Sequence, residues 1–268
     1  MTKLKRCYAF FLGEMEKAMA YRGAFFLSAI ADVIPSLVML AVWVAVYQRR
    51  STVAGFTYPM MITYLLVSQT VNNMYSFRND ASRSISSQIR KGNIVFDLLR
   101  PVDFVQARLF ENLGQSTFKV LLCVLFFLVF KLFFPELSWP ASGTYFLLFL
   151  LSMVAGYVIM FSVCVMSGLL SFWLMNSWGL RNARIAIVNF LSGSLIPFFM
   201  LPEWMQTVIG YLPFKGIVYT PTMIYMGQYD MKETLFQLGL QVFWAVVMWL
   251  LTRLLCNAAI KRVSVNGG

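Results

Sequence analysis

The sequence predicts an all-α polytopic membrane protein with six transmembrane helices, and three observations carry that class. Hydrophobic residues make up 59% of the 268 and charged residues 12%, against about 25% charged in soluble domains. The apolar residues fall into runs, several of them long enough to cross a hydrocarbon core of about 30 Å. The basic residues gather in short segments between those runs, as expected where cation placement orients a chain in a bilayer.

Residues 1–21 interleave Lys3, Lys5, Arg6 and Lys17 with Leu4, Tyr8, Phe10, Phe11 and Met15, the pattern of an amphipathic helix at the inner membrane surface. Charges run throughout this stretch and no small-residue cleavage signature follows it, so no removable signal peptide is expected. The first span, 22–48, is interrupted by Asp32 and Pro35. The second, 58–77, carries Gln69, Thr70, Asn72 and Asn73 at its inner end, where polar groups should face other helices. The third, 105–134, contains Glu111, Gln115 and Lys119.

After a short outer loop at 135–143, the fourth span, 144–174, has a small-residue series, Ser152, Ala155, Gly156, Ser162, Ser167 and Gly168. Such a series lets helices approach closely. Trp173, Met175, Asn176 and Trp178 are expected to anchor an inner interface, and a return through Arg181 and Arg184 leads to the fifth apolar run, 185–201. Pro197, Pro202, Pro213 and Pro221 then break the chain into pieces too short to span, with Trp204, Tyr211, Tyr219 and Tyr225 among them. That composition predicts an outer re-entrant hairpin at 202–228 built from short interfacial helices. The sixth span is 234–260.

Between spans two and three lies the longest polar interruption, 79–104. Asp80 can cap a short helix, Ile85 and Ile89 share a face at i and i+4, and Gly92 sits where that helix would end. A second apolar run, 94–99, stops at Arg100-Pro101, because the residue before proline is pushed out of helical geometry. A solvated linker has no use for these apolar residues, so the loop reads as a docking surface for another protein; a helix lying on lipid headgroups is the other reading. Arg100-Pro101 equally suits a plain span boundary.

Orientation follows from charge. With both termini inside, the inner segments hold fifteen Lys and Arg, including Arg78, Arg83, Arg90, Lys91, Arg100 and Arg108, against five outside at Arg49, Arg50, Lys131, Lys215 and Lys232. Cytoplasmic segments carry this excess. Within the spans, Asp32 and Lys119 lie at similar depths, about 15 to 20 Å from the inner surface at 1.5 Å per residue, so they can pair. Arg108 can partner Glu111 one turn along the same helix. These charges serve either a polar translocation surface or the locking of helices.

Two local patterns sharpen a resemblance that covers nearly the whole chain. Residues 89–104, IRKGNIVFDLLRPVDF, and 192–228, SGSLIPFFMLPEWMQTVIGYLPFKGIVYTPTMIYMGQ, stand at matching places in the order of elements. Together they resemble the membrane subunits of ATP-binding-cassette exporters of the ABC type-2 class, closest to the bacterial subgroup associated with drug or antibiotic-like compounds. The resemblance implies a bacterial cytoplasmic (inner) membrane location, export, and a dimer of two copies or with a related permease subunit. It also implies two separate ATPase subunits that hold ATP and Mg, with no cofactor on this chain. In such an assembly Ile85, Ile89, Arg90, Gly92, Leu98, Leu99, Arg100 and Pro101 would form the ATPase-coupling element, with Ile85 and Ile89 seated in an ATPase groove. Pro197, Pro202, Trp204, Pro213 and Pro221 would shape the outer hairpin.

Other functions lack their residues. The chain has no GxxxxGK(S/T) phosphate loop, no histidine and no CxxC pair, and its acids Asp32 and Glu111 differ in depth. A membrane-embedded enzyme would need a base, paired carboxylates or a metal set at one depth. An ion-coupled secondary transporter would break its helices near the midplane, whereas the prolines here cluster near one end. The net charge of +11 is spread over membrane-flanking segments and predicts no nucleic-acid partner; aromatic and methionine-rich walls suit an amphipathic or hydrophobic cargo and membrane lipid.

Overall fold

The computed structural model describes residues 3–75, 81–174 and 177–262, and about 80% of the chain is helical. The expected Asp80 cap and the Met175 and Asn176 anchors lie outside the described residues. Helix α1 (Lys3–Ala20) lies along α6 (Phe104–Phe133), burying Cys7 and Ala18 and turning Tyr8 and Met19 outward. The approach depends on Gly114, where an added Cβ would run into the Phe11 carbonyl. Gln115 Nε2 donates to Glu14 Oε2 at 2.7 Å across the same seam. One face of the amphipathic α1 is thus taken up by protein.

Helix α2 (Arg22–Tyr47) runs without a break through Asp32 and Pro35, which corrects the expected interruption. Proline removes one N–H donor and crowds the carbonyl one turn back, yet the 26-residue helix carries on past it. A two-residue hairpin follows, strands β1 (Thr52–Val53) and β2 (Phe56–Thr57), turned by Ala54 and Gly55 at φ 47° and 82°. Positive φ at both central residues is the type I′ geometry that suits strand twist.

Helix α3 (Tyr58–Tyr75) is the hub, with Met61 through Ser68 buried in an unbroken run. The coupling region forms α4 (Ala81–Arg90) and α5 (Ile94–Leu98). Helix α6 is capped by Asp103, which accepts from Gln106 N at 2.9 Å. Helix α7 (Gly143–Leu169), extended by one 3₁₀ turn to Phe172, packs on α4, α10 and α11 through its small residues. A Cβ at Gly168 would stand 2.9 Å from Ser82 Cα, and one at Gly156 would stand 3.0 Å from the Gly216 carbonyl. Backbones meet there because no side chain intervenes.

Helix α8 (Ser177–Leu191) starts where an inner loop was expected, and 192–201 holds turns and a 3₁₀ segment instead of the outer half of a span. Hydropathy reads Arg181 and Arg184 as a break, but Arg184 is buried with its guanidinium against Cys164 Sγ, so the helix tolerates both. The chain reverses at Gly193, φ 79°. Short helices α9 (Glu203–Gly210) and α10 (Tyr219–Tyr225) follow, and α11 (Met231–Ile260), capped by Asp230, closes the chain against α7.

Among the described residues, four helices are long and apolar enough to cross a membrane: α2 over Ile30–Tyr47, α6, α7 with its extension, and α11. Helix α3 is the right length but polar, and α8, at 15 residues, is about 22 Å long. Helix α3 is buried against its neighbours from Met61 to Ser68, whereas α8 buries only Arg184 and Val188. The loops at 51–57 and 135–142, together with 198–229, meet at one end, where Tyr225 Oη donates to the Ser138 carbonyl at 3.1 Å and Tyr47 Oη to that of Phe56 at 2.8 Å. Helices α4 and α5 stand at the other end, beside the termini of α7 and α11.

Candidate functional site

At the α4–α5 end, the helical period of α4 sorts its residues. Ala81, Ser82, Ile85 and Ser86 are buried, and Arg83 and Arg90 are exposed. The i, i+4 relation of Ile85 and Ile89 holds, but their shared face turns inward. Ile85 is 0% exposed and sits against Gly168 in a cluster with Phe104, Phe161, Val165 and Leu169, and Ile89 packs on the same cluster. This corrects the expectation that the pair would face a partner's groove. The small residues of α7 offer a close-fitting surface, which takes up the only strongly apolar face α4 has.

Lys91 and Gly92 close the helix, with Gly92 N donating to the Ile89 carbonyl at 3.1 Å and Gly92 at φ 72°. This is the left-handed C-terminal position at which glycine avoids a steric penalty. The chain reverses into α5, where Ile94 and Asp97 turn inward and Leu98 packs beside them. Phe96, 68% exposed, and Leu99, 76% exposed, turn outward with Arg100 and Pro101. The outward apolar pair is therefore Phe96 and Leu99.

Arg108 of α6, 4% exposed, joins these pieces. Its guanidinium donates to Glu111 at 2.7 Å, Gln88 at 2.7 Å and Ser84 at 3.3 Å, and pairs with the buried Asp97 carboxylate. Arg100 reaches the other Asp97 oxygen at 3.3 Å and lies over the Phe10 ring of α1. Arg253 of α11 reaches the capping Asp103 at 3.3 Å. One cation thus ties α4 and α5 to the foot of α6, and a neighbouring pair ties that foot to α11. The Arg108–Glu111 pair was visible as an i, i+3 spacing; the Asp97–Arg108 pair, eleven residues apart across Pro101, left no local signal.

Deeper in the bundle, Lys119 Nζ lies 2.8 Å from Asp32 Oδ2, joining α6 to α2. Ser36, Gln69, Thr70, Asn73 and Cys123 surround the pair, and Gln69 Nε2 donates to the Ser194 carbonyl at 3.1 Å. Asn72 lies on α3 next to this group, half-buried. Glu111 is not part of it, being held by Arg108.

A cleft of about 710 Å³ opens between α3, α6 and α7. Met74, Tyr75, Phe127, Phe149, Met153 and Tyr157 form its walls, and Trp139 and Tyr225 close one end. From Leu113 to Leu128 it follows about 22 Å of α6 at helical rise. Its walls are almost wholly apolar.

In the hairpin region, Pro197 precedes a 3₁₀ turn, Pro202 caps α9, Pro213 opens a second 3₁₀ turn and Pro221 lies in the first turn of α10. Trp204 and Tyr211 are exposed on and beside α9, as expected of interfacial residues, whereas α10 is buried throughout, Tyr219 and Tyr225 included. Gln241 holds this region in place: its Nε2 donates to the carbonyls of Gly216 at 2.6 Å and Ser152 at 2.8 Å, and Ser152 Oγ donates to its Oε1 at 2.8 Å. Tyr64 Oη adds a bond to the Gly193 carbonyl at 2.8 Å. Among the described residues no group of His, Cys, Asp and Glu is arranged to hold a metal.

A comparison with curated proteins finds no match to this chain. The family model described as ABC-2 family transporter protein matches residues 33–267, which takes in the α4–α5 element, the cleft and the hairpin. The chain belongs to the ABC-2 family of transporter membrane proteins.

Proposed function

We propose that this chain is the permease subunit of an ATP-driven exporter in a bacterial cytoplasmic membrane. It crosses the bilayer six times with both termini inside, α3 and α8 completing the four longer spans. It works as a dimer with a second copy or a related permease, and separate ATP-binding-cassette subunits hydrolyse ATP with Mg below it. The α3–α6–α7 cleft takes the apolar part of an amphipathic or hydrophobic cargo; its volume falls within the roughly 300–1,000 Å³ of drug-sized pockets.

The observation that carries this reading is the α4–α5 element. It presents Phe96 and Leu99 outward while Asp97, between them in sequence, is held by buried Arg108 of the spanning helix α6. An ATPase that grips the outward pair moves α5, and the Asp97–Arg108 link carries that motion into α6. Aromatic anchors carry much of the binding energy where a partner encloses them in a packed pocket, and Leu99 adds apolar contact beside Phe96.

The test is Phe96→Asp with Leu99→Asp. Both side chains are exposed, so expression and membrane assembly should match the parent, while co-purification of the ATPase and transport fall to background. A double variant that still brings the ATPase down in full, but loses membrane contact, would assign the pair to lipid headgroups and overturn the coupling role. Ile85→Asp is no substitute, because it puts a charge into the chain's own core.

A further inference from the structure

We infer that the notch between α4 and the start of α8 is a binding site for the phosphate headgroup of an anionic membrane lipid. The notch encloses about 160 Å³ and is lined by Arg83, Ser86 and Arg90 of α4 and by Ser177, Trp178 and Arg181 of α8. Three arginines line it, and among the described residues no acidic side chain does. On α4, Arg83, Ser86 and Arg90 fall at i, i+3 and i+7, which is one face of the helix. Arg83 and Arg90 are exposed on that face, and Ser86 is buried at its edge beside Ile85.

The two helices are already joined at this point, Arg90 Nη1 donating to Ser177 Oγ at 2.6 Å. The Nε atom of Arg181 is buried without a hydrogen-bond partner among the described residues, and Arg181 also lines the notch. Ser177 opens α8, so the first N–H groups of a 15-residue helix add their positive end to the notch.

What selects a lipid over a soluble anion is the surface leading into the notch. Trp178, Arg181 and Ile185 stand at i, i+3 and i+7 on α8, and Trp178 and Ile185 are exposed, 67% and 41%. Trp178 and Ile185 thus flank Arg181 on one exposed face of α8, with an aromatic at the rim of the kind found at bilayer interfaces. Acyl chains rest on these two side chains and the headgroup meets the notch. Basic pockets between membrane helices take anionic headgroups in this way. A lipid held there bridges α4 to α8 and steadies the element proposed to carry ATPase motion, though the binding itself requires only that the chain sit in a bilayer.

The experiment uses the full chain, delipidated and returned to nanodiscs containing phosphatidylglycerol and phosphatidylcholine of matched acyl chains, with retained lipid counted by native mass spectrometry. The parent should keep phosphatidylglycerol in preference to phosphatidylcholine. Arg90→Gln with Arg181→Gln should reduce that preference by about tenfold or more, and Arg181→Lys should keep most of it. Arg49→Gln with Arg50→Gln, at the far end of the molecule, should change nothing. Equal melting temperatures for parent and variants show that the change is not unfolding. Retention of the preference in the double variant overturns the site. Displacement of the lipid by inorganic phosphate at millimolar concentration, with equal thermal protection, overturns the lipid assignment in favour of a free anion. Loss of ATPase co-purification with lipid preference unchanged gives the notch to a protein partner and also overturns it.

Discussion

At the α4–α5 end the joints between helices are ion pairs gathered on Arg108 and Arg253, whereas at the α9–α10 end they are hydrogen bonds gathered on Gln241, with buried Lys215 donating to Gln237 at 3.3 Å. The first set lies beside exposed arginines and lysine, where water and a partner have access. The second is sealed, with all seven residues of α10 buried. Charge-assisted bonds are the stronger kind, and a fully satisfied buried amide fixes one arrangement of the backbones it joins. One end is therefore held chiefly by charge and the other chiefly by amide and carbonyl groups.

Three experiments break or sharpen that contrast. The largest effect belongs to Arg108→Met, which leaves Asp97 and Glu111 without their buried cation. The expected loss is about 3–5 kcal/mol, read as a fall in melting temperature of the purified chain, and adding Asp97→Asn should recover part of it. If Arg108→Met melts like the parent, the α4–α5 end is not organised by this cation.

Next comes Gln241→Leu, which strips the donor from the Gly216 and Ser152 carbonyls and the acceptor from the Ser152 hydroxyl. A cost of about 3 kcal/mol follows from leaving buried polar groups unmade, and limited proteolysis should show cleavage opening within 192–228 while 81–104 stays as before. Cleavage at both ends alike would end the idea that they are held independently.

The smallest effect is expected midway, at the Asp32–Lys119 pair. Asp32 is open on one side, 36% exposed, so a single Asp32→Asn or Lys119→Met should cost about 2.5 kcal/mol, the low end of the insertion range for a charge at mid-helix. The combined variant should recover assembly lost in each, as measured by monodisperse yield in detergent. Additive losses would place the two side chains in separate surroundings.

Much of the candidate site was legible because it depends on near neighbours in sequence. The spacing of Arg108 and Glu111, the left-handed turn at Gly92, the small residues of α7 and the breaks at Pro202 and Pro213 are each written within a few residues of chain. The direction in which α4 faces is not. Ile85 and Ile89 lie on one side of it in any setting, but whether that side meets α7 or a partner depends on Gly168, more than eighty residues away. The start of α8 escaped for the same reason, since Arg184 is buried against Cys164, twenty residues away in sequence.

By itself the sequence determined a helical membrane chain, its basic and apolar segments, and the i, i+3 and i+4 pairs along each helix, because hydropathy and helical period act locally. The tertiary structure alone decided that Phe96 and Leu99 face outward in place of Ile85, that Asp97 meets Arg108, and that three arginines from α4 and α8 line one notch. Each of those depends on which surfaces of distant helices come together. A helix has a preferred face by its own pattern, but only its neighbours decide what that face touches.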